Sequence, residues 1–486
     1  MRGDPHRKDR KFRPPRGSPK SPGRTRPTGR IAPRSPRPTL FPPTKGLSMP
    51  RTSNTRVAGS PRPRAGAARH GARAAVATAA GLGWTAIQGL GAVALAATTA
   101  LIVPGTGTSD PSVAHDFESN AYRNFIAPGT PGCTDNACPG VVFVPVPYDA
   151  ALWPVISSKG PHASSAKWDV SVADGVAALA ARTAQSLGGA AGPVVVFGYS
   201  QGSTVAGAQK AALADLSPAD KARLSFVLIA NPNRPNGGII ERPVRFGGIP
   251  VADVTFGPPT PTDIGIATTD IAMQYDGISD FPAYPLNVLA DANALLGTLL
   301  IHPSYLQPKG DGAGGAPKPG AAIYGYPDQD VYVAQQDCAR YPAHCQRHGD
   351  TTYVTIPNPE GTLPLLYPLR AAGKQAGAIA VTEPAAALVE PALRVLIETG
   401  YDRADYAEPT PLRFDQPLDP AATAALPVTL PAAIEEGIAD ATAALEDPAR
   451  HAERTAPPAT ALANLEDLLP PNPVTPLLRD LFPAAT

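Results

Sequence analysis

The sequence predicts an α/β fold built on a doubly wound, mostly parallel sheet, and three observations carry that prediction. Short β-branched apolar runs recur through the middle of the chain, helix-compatible segments alternate with them, and a Gly-x-Ser-x-Gly turn joins one such run to a helix. Parallel strands need a crossover between them, so alternation of the two periods points to a sheet covered on both faces. The 486 residues include 60 prolines and 45 glycines, more than a compact globule uses, so part of the chain is expected to lie outside the packed body.

Residues 1–73 hold 20 Lys and Arg but only Asp4 and Asp9 as acids. They are dense in Pro, Gly and Ser and have little to bury, so disorder is expected there. The rest of the chain carries 22 bases against 39 acids. A basic head on an acidic body reads as a targeting or tail segment and not as a nucleic-acid-binding domain. No charged residue lies between Ala74 and Ser109, and residues 74–97 form an Ala/Gly/Leu/Val run ending near Ala94-Leu95-Ala96, a small-x-small cleavage pattern. A basic flank, an apolar stretch and such a site together read as a secretory signal. A retained membrane anchor with its basic side inward is the close alternative, and a buried core helix is the plain structural one. The basic stretch is long for a signal, which leaves Met1 and Met49 both open as starts.

The body is expected over residues 98–405. Thr99 to Pro104 reads as a buried strand feeding the turn Gly105-Thr106-Gly107-Thr108, and Gly140 to Val146 as a second strand. Val172, Val176, Leu179, Thr183 and Leu187 fall on one helical face, which Gly188 and Gly189 end. Val194 to Phe197 is a third strand, followed by a helix from Ser203 to about Leu216; Leu224 to Ala230 and Ile271 to Tyr275 are the fourth and fifth strands. Residues 406–486, rich in Pro and Ala, read as a loosely packed tail. The four cysteines come as two close pairs, Cys133 with Cys138 and Cys338 with Cys345. Each pair can close a small disulfide loop in an oxidising compartment, and neither has the spacing of a metal knuckle. No metal site and no cofactor are expected.

The chemistry concentrates at Gly198-Tyr199-Ser200-Gln201-Gly202. A serine on a tight strand-to-helix turn needs small neighbours, because a Cβ at either glycine position would meet the adjoining strand or helix. Ser200 is therefore the candidate nucleophile, and the Gln201 N–H at the helix start points where an oxyanion would form, with Gly105 or Thr106 as the second donor. Four histidines follow Ser200, and His302, in a loop behind an apolar run, is the candidate base. His344 and His348 sit in the cysteine-bounded loop and His451 in the tail. Two carboxylates lie just past the fifth strand. Asp280, deeper in the loop, is favoured as the acid; Asp276 is the alternative, with turn capping as its other role.

Phe226 to Glu241 (FVLIANPNRPNGGIIE), Gln274 to Gly297 and Leu393 to Arg403 (LRVLIETGYDR) resemble the PE-PPE domain, a cutinase-like serine α/β-hydrolase module of actinobacterial cell-envelope proteins. The resemblance runs from about Thr99 to Asp405 and implies an α/β-hydrolase-like fold, with Ser200 as nucleophile, His302 in its H-x-x-Y setting as base, and the oxyanion loop at Gly105-Thr106-Gly107. The helical module that opens many members is absent from this sequence. Some anchored relatives act as acyltransferases building envelope glycolipids. The expected activity is thus cleavage of acyl esters through a serine acyl-enzyme. Transfer of the acyl group to a trehalose-type acceptor is the alternative, and a non-catalytic lipid- or wall-binding scaffold is the alternative of another class. The expected partners are an acyl ester or glycolipid and the membrane or cell envelope, with no nucleic acid and no obligate protein partner. The expected place is outside the cell, secreted or anchored. The stretch from Phe281 to Ile301, between acid and base, is read either as a lid or acyl-binding wall or as a core helix.

Overall fold

A computed structural model describes residues 97–306, 338 and 344–455, except 115, 129, 131, 134, 135, 190 and 191. The basic segment 1–73 and nearly all of the proposed signal or anchor, 74–97, lie outside the described residues, as do 456–486 of the tail.

Among the described residues there are nine strands: β1 (Thr98–Val103), β2 (Val141–Pro145), β3 (Val194–Tyr199), β4 (Leu224–Ile229), β5 (Gly248–Ile249), β6 (Val254–Thr255), β7 (Thr268–Met273), β8 (Cys345–His348) and β9 (Thr351–Ile356). Seven form one sheet in the order β2-β1-β3-β4-β7-β9-β8, and every pairing is parallel except the edge pair β8/β9. β5 and β6 make a separate antiparallel hairpin. Along each central strand, successive side chains enter opposite cores. Ile102, Phe197, Ile229, Met273 and Ile356 join one, while Leu101, Val196, Phe226 and Leu228 join the other. That period of two is why the central strands read as unbroken apolar runs instead of alternating ones.

The second face is covered by α2 (Trp168–Gly188) through Leu179 and by α3 (Gln201–Ala212) through Val205 and Ala206. The first face is covered by residues of α5 (Val288–Leu300) and α7 (Ile379–Glu398), together with α1 (Phe117–Ala121). Between these helices lie α4 (Pro218–Arg223) and α6 (Tyr367–Gln375). The fold is therefore α/β-hydrolase-like, a mostly parallel sheet between helical layers. Disulfides join Cys133 to Cys138 and Cys338 to Cys345, and no free cysteine remains. Among the described residues no helix is long and apolar enough to cross a membrane.

Two regions depart from the sequence reading. Thr351–Ile356 is not among the strands read from the sequence, yet it is the strand that extends the sheet beyond β7. The start of the tail is the 27-residue helix α8 (Pro420–Glu446), which runs through Pro427 and Pro431. A Cβ on its Gly437 would stand 2.2 Å from the Leu388 carbonyl oxygen, so α8 packs closely on α7, although most of its side chains remain exposed.

Candidate active site

The site grows from the C-terminal ends of β1, β3 and β7, the edge of an open α/β sheet where ligands bind. At the end of β3 the chain reverses into α3 through Ser200, whose φ of 55° and ψ of −119° lie outside the ordinary wells. The flanking glycines make this turn possible. A Cβ on Gly198 would sit 2.6 Å from the Gly202 carbonyl oxygen, and one on Gly202 would sit 2.4 Å from that of Val103. Strain of this kind persists only where the surroundings over-determine it. Here they do: Ser200 N–H donates to Ile229 O at 3.0 Å, and the Ser203 hydroxyl donates to Gly198 O and Ile229 O.

His302 follows α5 and faces the serine. Its Nε2 lies 2.8 Å from Ser200 Oγ. Its Nδ1 lies 3.0 Å from Asp276 Oδ1 and 3.1 Å from Oδ2. The Tyr199 hydroxyl donates to the His302 carbonyl, which ties the base loop to the elbow. Asp276 is wholly buried. Besides the ring, it accepts the Ile278 N–H at 3.0 Å, the Ser279 hydroxyl at 2.8 Å and the Tyr305 hydroxyl at 2.9 Å. Of these donors, Tyr305 fixes the carboxylate from outside its own turn.

The structure brings Asp276, the sequence's alternative, and not the favoured Asp280, to the His302 ring. Asp280 does not touch the histidine. It accepts the Tyr275 N–H at 2.7 Å and takes a two-pronged ion pair from Arg403, 2.8 Å from Nε and 2.7 Å from Nη2. Asp280 is the turn's cap and Asp276 the ring's partner. Tyr275, with φ of 70°, opens this turn; past it Asp276 faces His302 and Asp280 faces Arg403. Burial alone would raise the Asp280 carboxyl; Arg403, the Tyr275 N–H and Arg234 outweigh it and hold the group below the usual carboxylate range.

The oxyanion candidates stand beside the serine. Gln201 is the first residue of α3, so its N–H has no partner within the helix. Its side chain is clamped between the Ser171 hydroxyl at 3.0 Å and the Ala151 carbonyl at 2.9 Å. A Cβ on Gly105 would stand 3.2 Å from Ser200 Cβ, so the Gly105-Thr106 loop runs against the elbow. The Tyr148 hydroxyl on Pro104 O and the Gly107 N–H on Ala150 O hold that loop in place.

The segment between acid and base is a packed helix. Ala290, Ala294 and Gly297 of α5 are buried, and a Cβ on Gly297 would collide with Tyr275 O. His348 ends β8, the far edge strand, and His344 precedes it, so neither belongs to the elbow. His451 meets Glu383. Among the described residues, no group of His, Cys, Asp and Glu has the arrangement to hold a metal ion. The sequence reading missed Tyr305, Ser279 and Arg403 as supports of the acid turn; the H-x-x-Y spacing after His302 was the available signal for the first.

Residues 139–402 match the family model of the PE-PPE domain. The chain is 38% identical over 346 residues to esterase PE16 of Mycobacterium tuberculosis, a match covering 70% of this chain and 55% of that protein. It is 27% identical over 311 residues to diacyltrehalose acyltransferase Chp2 of the same organism, covering 62% of this chain and 75% of that one. Among solved structures, a cutinase-like protein from Cryptococcus sp. aligns with 39% of this chain and 81% of its own, at 21% identity and a TM-score of 0.26. The chain spans about half the length of the first curated relatives it matches, 55% and 48%.

Proposed function

The chain belongs to the PE-PPE domain family, and we propose that it is a serine esterase acting on acyl esters through Ser200, His302 and Asp276. The observation that carries the reading is the line Ser200 Oγ to His302 Nε2 at 2.8 Å and His302 Nδ1 to Asp276 at 3.0 Å, set on a strained elbow.

In the reaction so assigned, His302 Nε2 takes the hydroxyl proton as Ser200 Oγ attacks the ester carbonyl. Asp276 holds the ring with its proton on Nδ1 and stabilises the imidazolium. The tetrahedral oxyanion accepts hydrogen bonds from the Gln201 N–H and from the Gly105-Thr106 loop. The imidazolium gives its proton to the leaving alcohol, and an acyl-enzyme remains. A second hydroxyl, delivered over the same base, then releases the acyl group. If that hydroxyl is water, the product is a free acid. If it belongs to a sugar, the enzyme is an acyltransferase. The second outcome is favoured by one specific observation, the likeness to a protein named for acyl transfer to a trehalose lipid. We take hydrolysis as the primary activity and a lipid or glycolipid ester as the substrate class. The apolar run after a basic head, together with two disulfides, supports action outside the cytoplasm, secreted or anchored in the envelope.

The test is labelling with a fluorophosphonate, which reacts only with an activated serine. The wild-type chain should be labelled at Ser200 and should release p-nitrophenol from short acyl esters, while Ser200→Ala should do neither. An unlabelled wild-type protein that still binds acyl lipid would make it a scaffold and end the enzymatic reading. Product formed only when a polyol acceptor is present, with no free acid, would reassign it as a transferase.

A further inference from the structure

We propose that Arg403, acting through Asp280, is a positioning residue that locks the turn carrying Asp276 against His302; the inference rests on the triad proposed above. Two bonds hold Asp276 from within its own turn, those of Ile278 N–H and the Ser279 hydroxyl. If the turn shifts, these donors travel with it and the carboxylate keeps them. The distance to His302 is therefore set by what fastens the turn to the rest of the protein. Asp280 is one such fastening point, beside the Tyr305 hydroxyl on Asp276 and the Ile239 N–H on Ile278 O. Its N–H donates to Asp276 O at 2.7 Å, and its Oδ2 accepts the N–H of Tyr275, the residue just before the acid. One residue thus brackets Asp276 from both ends, by its backbone N–H on one side and its carboxylate on the other. Its carboxylate is in turn gripped by two parallel donors of Arg403.

Arg403 is itself immobilised. Its Nη1 pairs with Glu398 at the end of α7, and its guanidinium lies 3.9 Å from the Tyr401 ring centre and 5.7 Å from that of Tyr275. The other ionisable groups facing the pair are Arg234 and Arg242 from the loop after β4, which act on Asp280, and His344 before β8, which acts on Arg403. None of these touches Asp276. The guanidinium matters as a shape as well as a charge, because a planar fork matches a carboxylate at both oxygens and an ammonium does not. Charge at residue 403 alone should therefore not suffice.

The experiment compares wild type, Arg403→Lys, Arg403→Ala and Ser200→Ala by kcat, KM and pH profile on a p-nitrophenyl ester, with thermal melting alongside. Arg403→Ala should lose roughly tenfold to a hundredfold in kcat, the usual cost of a misplaced catalytic group, with KM little changed. The acidic limb of its kcat/KM profile should move to lower pH, since a histidine farther from its carboxylate protonates less readily. Arg403→Lys should recover only part of kcat. Guanidinium ion at a sub-denaturing concentration should restore Arg403→Ala and leave wild type unaffected, because residue 403 is 15% exposed and its vacated place is within reach of a small cation. Wild-type kcat and pH limb in both variants, with Ser200→Ala inactive, would overturn this inference and spare the triad. So would lost kcat with an unmoved limb and no guanidinium rescue, which marks a merely structural role. If Arg403→Ala does not fold, Arg403→Lys decides by the same limb. Undiminished turnover by Ser200→Ala would instead sink the triad reading on which the inference stands.

Discussion

Replacing Asp276 by Asn tests the acid directly, and the structure sets the size of the loss. The carboxylate faces four donors: His302 Nδ1–H at 3.0 Å, Ile278 N–H at 3.0 Å, the Ser279 hydroxyl at 2.8 Å and the Tyr305 hydroxyl at 2.9 Å. An amide has one accepting oxygen and one donating nitrogen. Turned one way, its nitrogen meets the Ser279 and Tyr305 hydroxyls, which must then reorient or go unpaired in a buried site, at about 1–3 kcal/mol per group left unmade. Turned the other way, it meets Nδ1, which must then accept. That forces the proton onto Nε2, the atom that has to take the Ser200 proton, so the base is in the wrong tautomer. Loss of a triad acid by this route costs about 10⁴-fold in kcat, near 5 kcal/mol of barrier. Asp280→Asn removes the charge that Arg403 grips. It should destabilise the fold by about 3–5 kcal/mol, as breaking a buried ion pair does. Its kcat should fall only roughly tenfold to a hundredfold, through the shifted turn. The assay is kcat on a p-nitrophenyl ester at a temperature where melting shows both variants folded. Asp276→Asn within tenfold of wild type, beside a folded but inactive Asp280→Asn, would refute the assignment.

Three further outcomes are expected. Ser200→Ala and His302→Ala should each lose about 10⁶-fold in kcat, with no further loss in the double variant, because the members act as a unit; Ser203 cannot substitute, since its hydroxyl is spent on Gly198 O and Ile229 O. Glu241 is 1% exposed, neither carboxylate oxygen has a hydrogen-bond partner, and burial raises its pKa from 4.5 to about 7 despite Arg242. The folded state then binds more protons than the unfolded one between those values, so stability declines as pH rises through that window. Glu241→Gln should accordingly melt higher than wild type at pH 8, by a margin of about 1–3 kcal/mol that vanishes near pH 4.5. Reduction should destabilise the protein by about 2 kcal/mol for each disulfide, because the loops are short, with separations of 5 and 7 residues. Thermal melts with and without reductant check this, and four alkylatable thiols in unreduced protein would count against action in an oxidising compartment.

The central sheet was legible because both of its faces are buried. β1, β2, β3 and β4 announce themselves as runs such as TTALIV and LSFVLI, and the elbow by glycines whose absent Cβ atoms are a steric necessity. β9 carried a comparable signal, TTYVTI, but its neighbour across the ladder is the polar strand CQRH, and a half-polar edge pair looks like a loop in one dimension. α7 and α8 were hidden by internal prolines: Pro384 and Pro391 in one, Pro427 and Pro431 in the other. A proline removes one backbone hydrogen bond from a helix, and burial of Pro384 and Pro391 against neighbouring elements offsets that loss in α7. The choice between Asp276 and Asp280 was not legible at all. It turns on the sign of φ at Tyr275 and on an arginine 123 residues away.

That last point bears on how the site is built. The proposed nucleophile is placed by local sterics, since the elbow's geometry follows from five consecutive residues and the two strands beside them. The proposed acid is placed by long-range electrostatics, with Asp280 held by Arg403 from beyond α7. The proposed base stands between the two. Its loop is tied to the elbow by the Tyr199 hydroxyl, and its ring is tied to the acid turn at Nδ1. Local sterics survive many substitutions elsewhere in the chain, whereas a largely buried ion pair fails when either partner is lost. Changes in residues 367–403 should therefore reach the chemistry through the acid side, lowering turnover while leaving Ser200 able to react slowly with a fluorophosphonate. A substitution in α7 that abolished labelling without unfolding the protein would show that the elbow, too, depends on that layer.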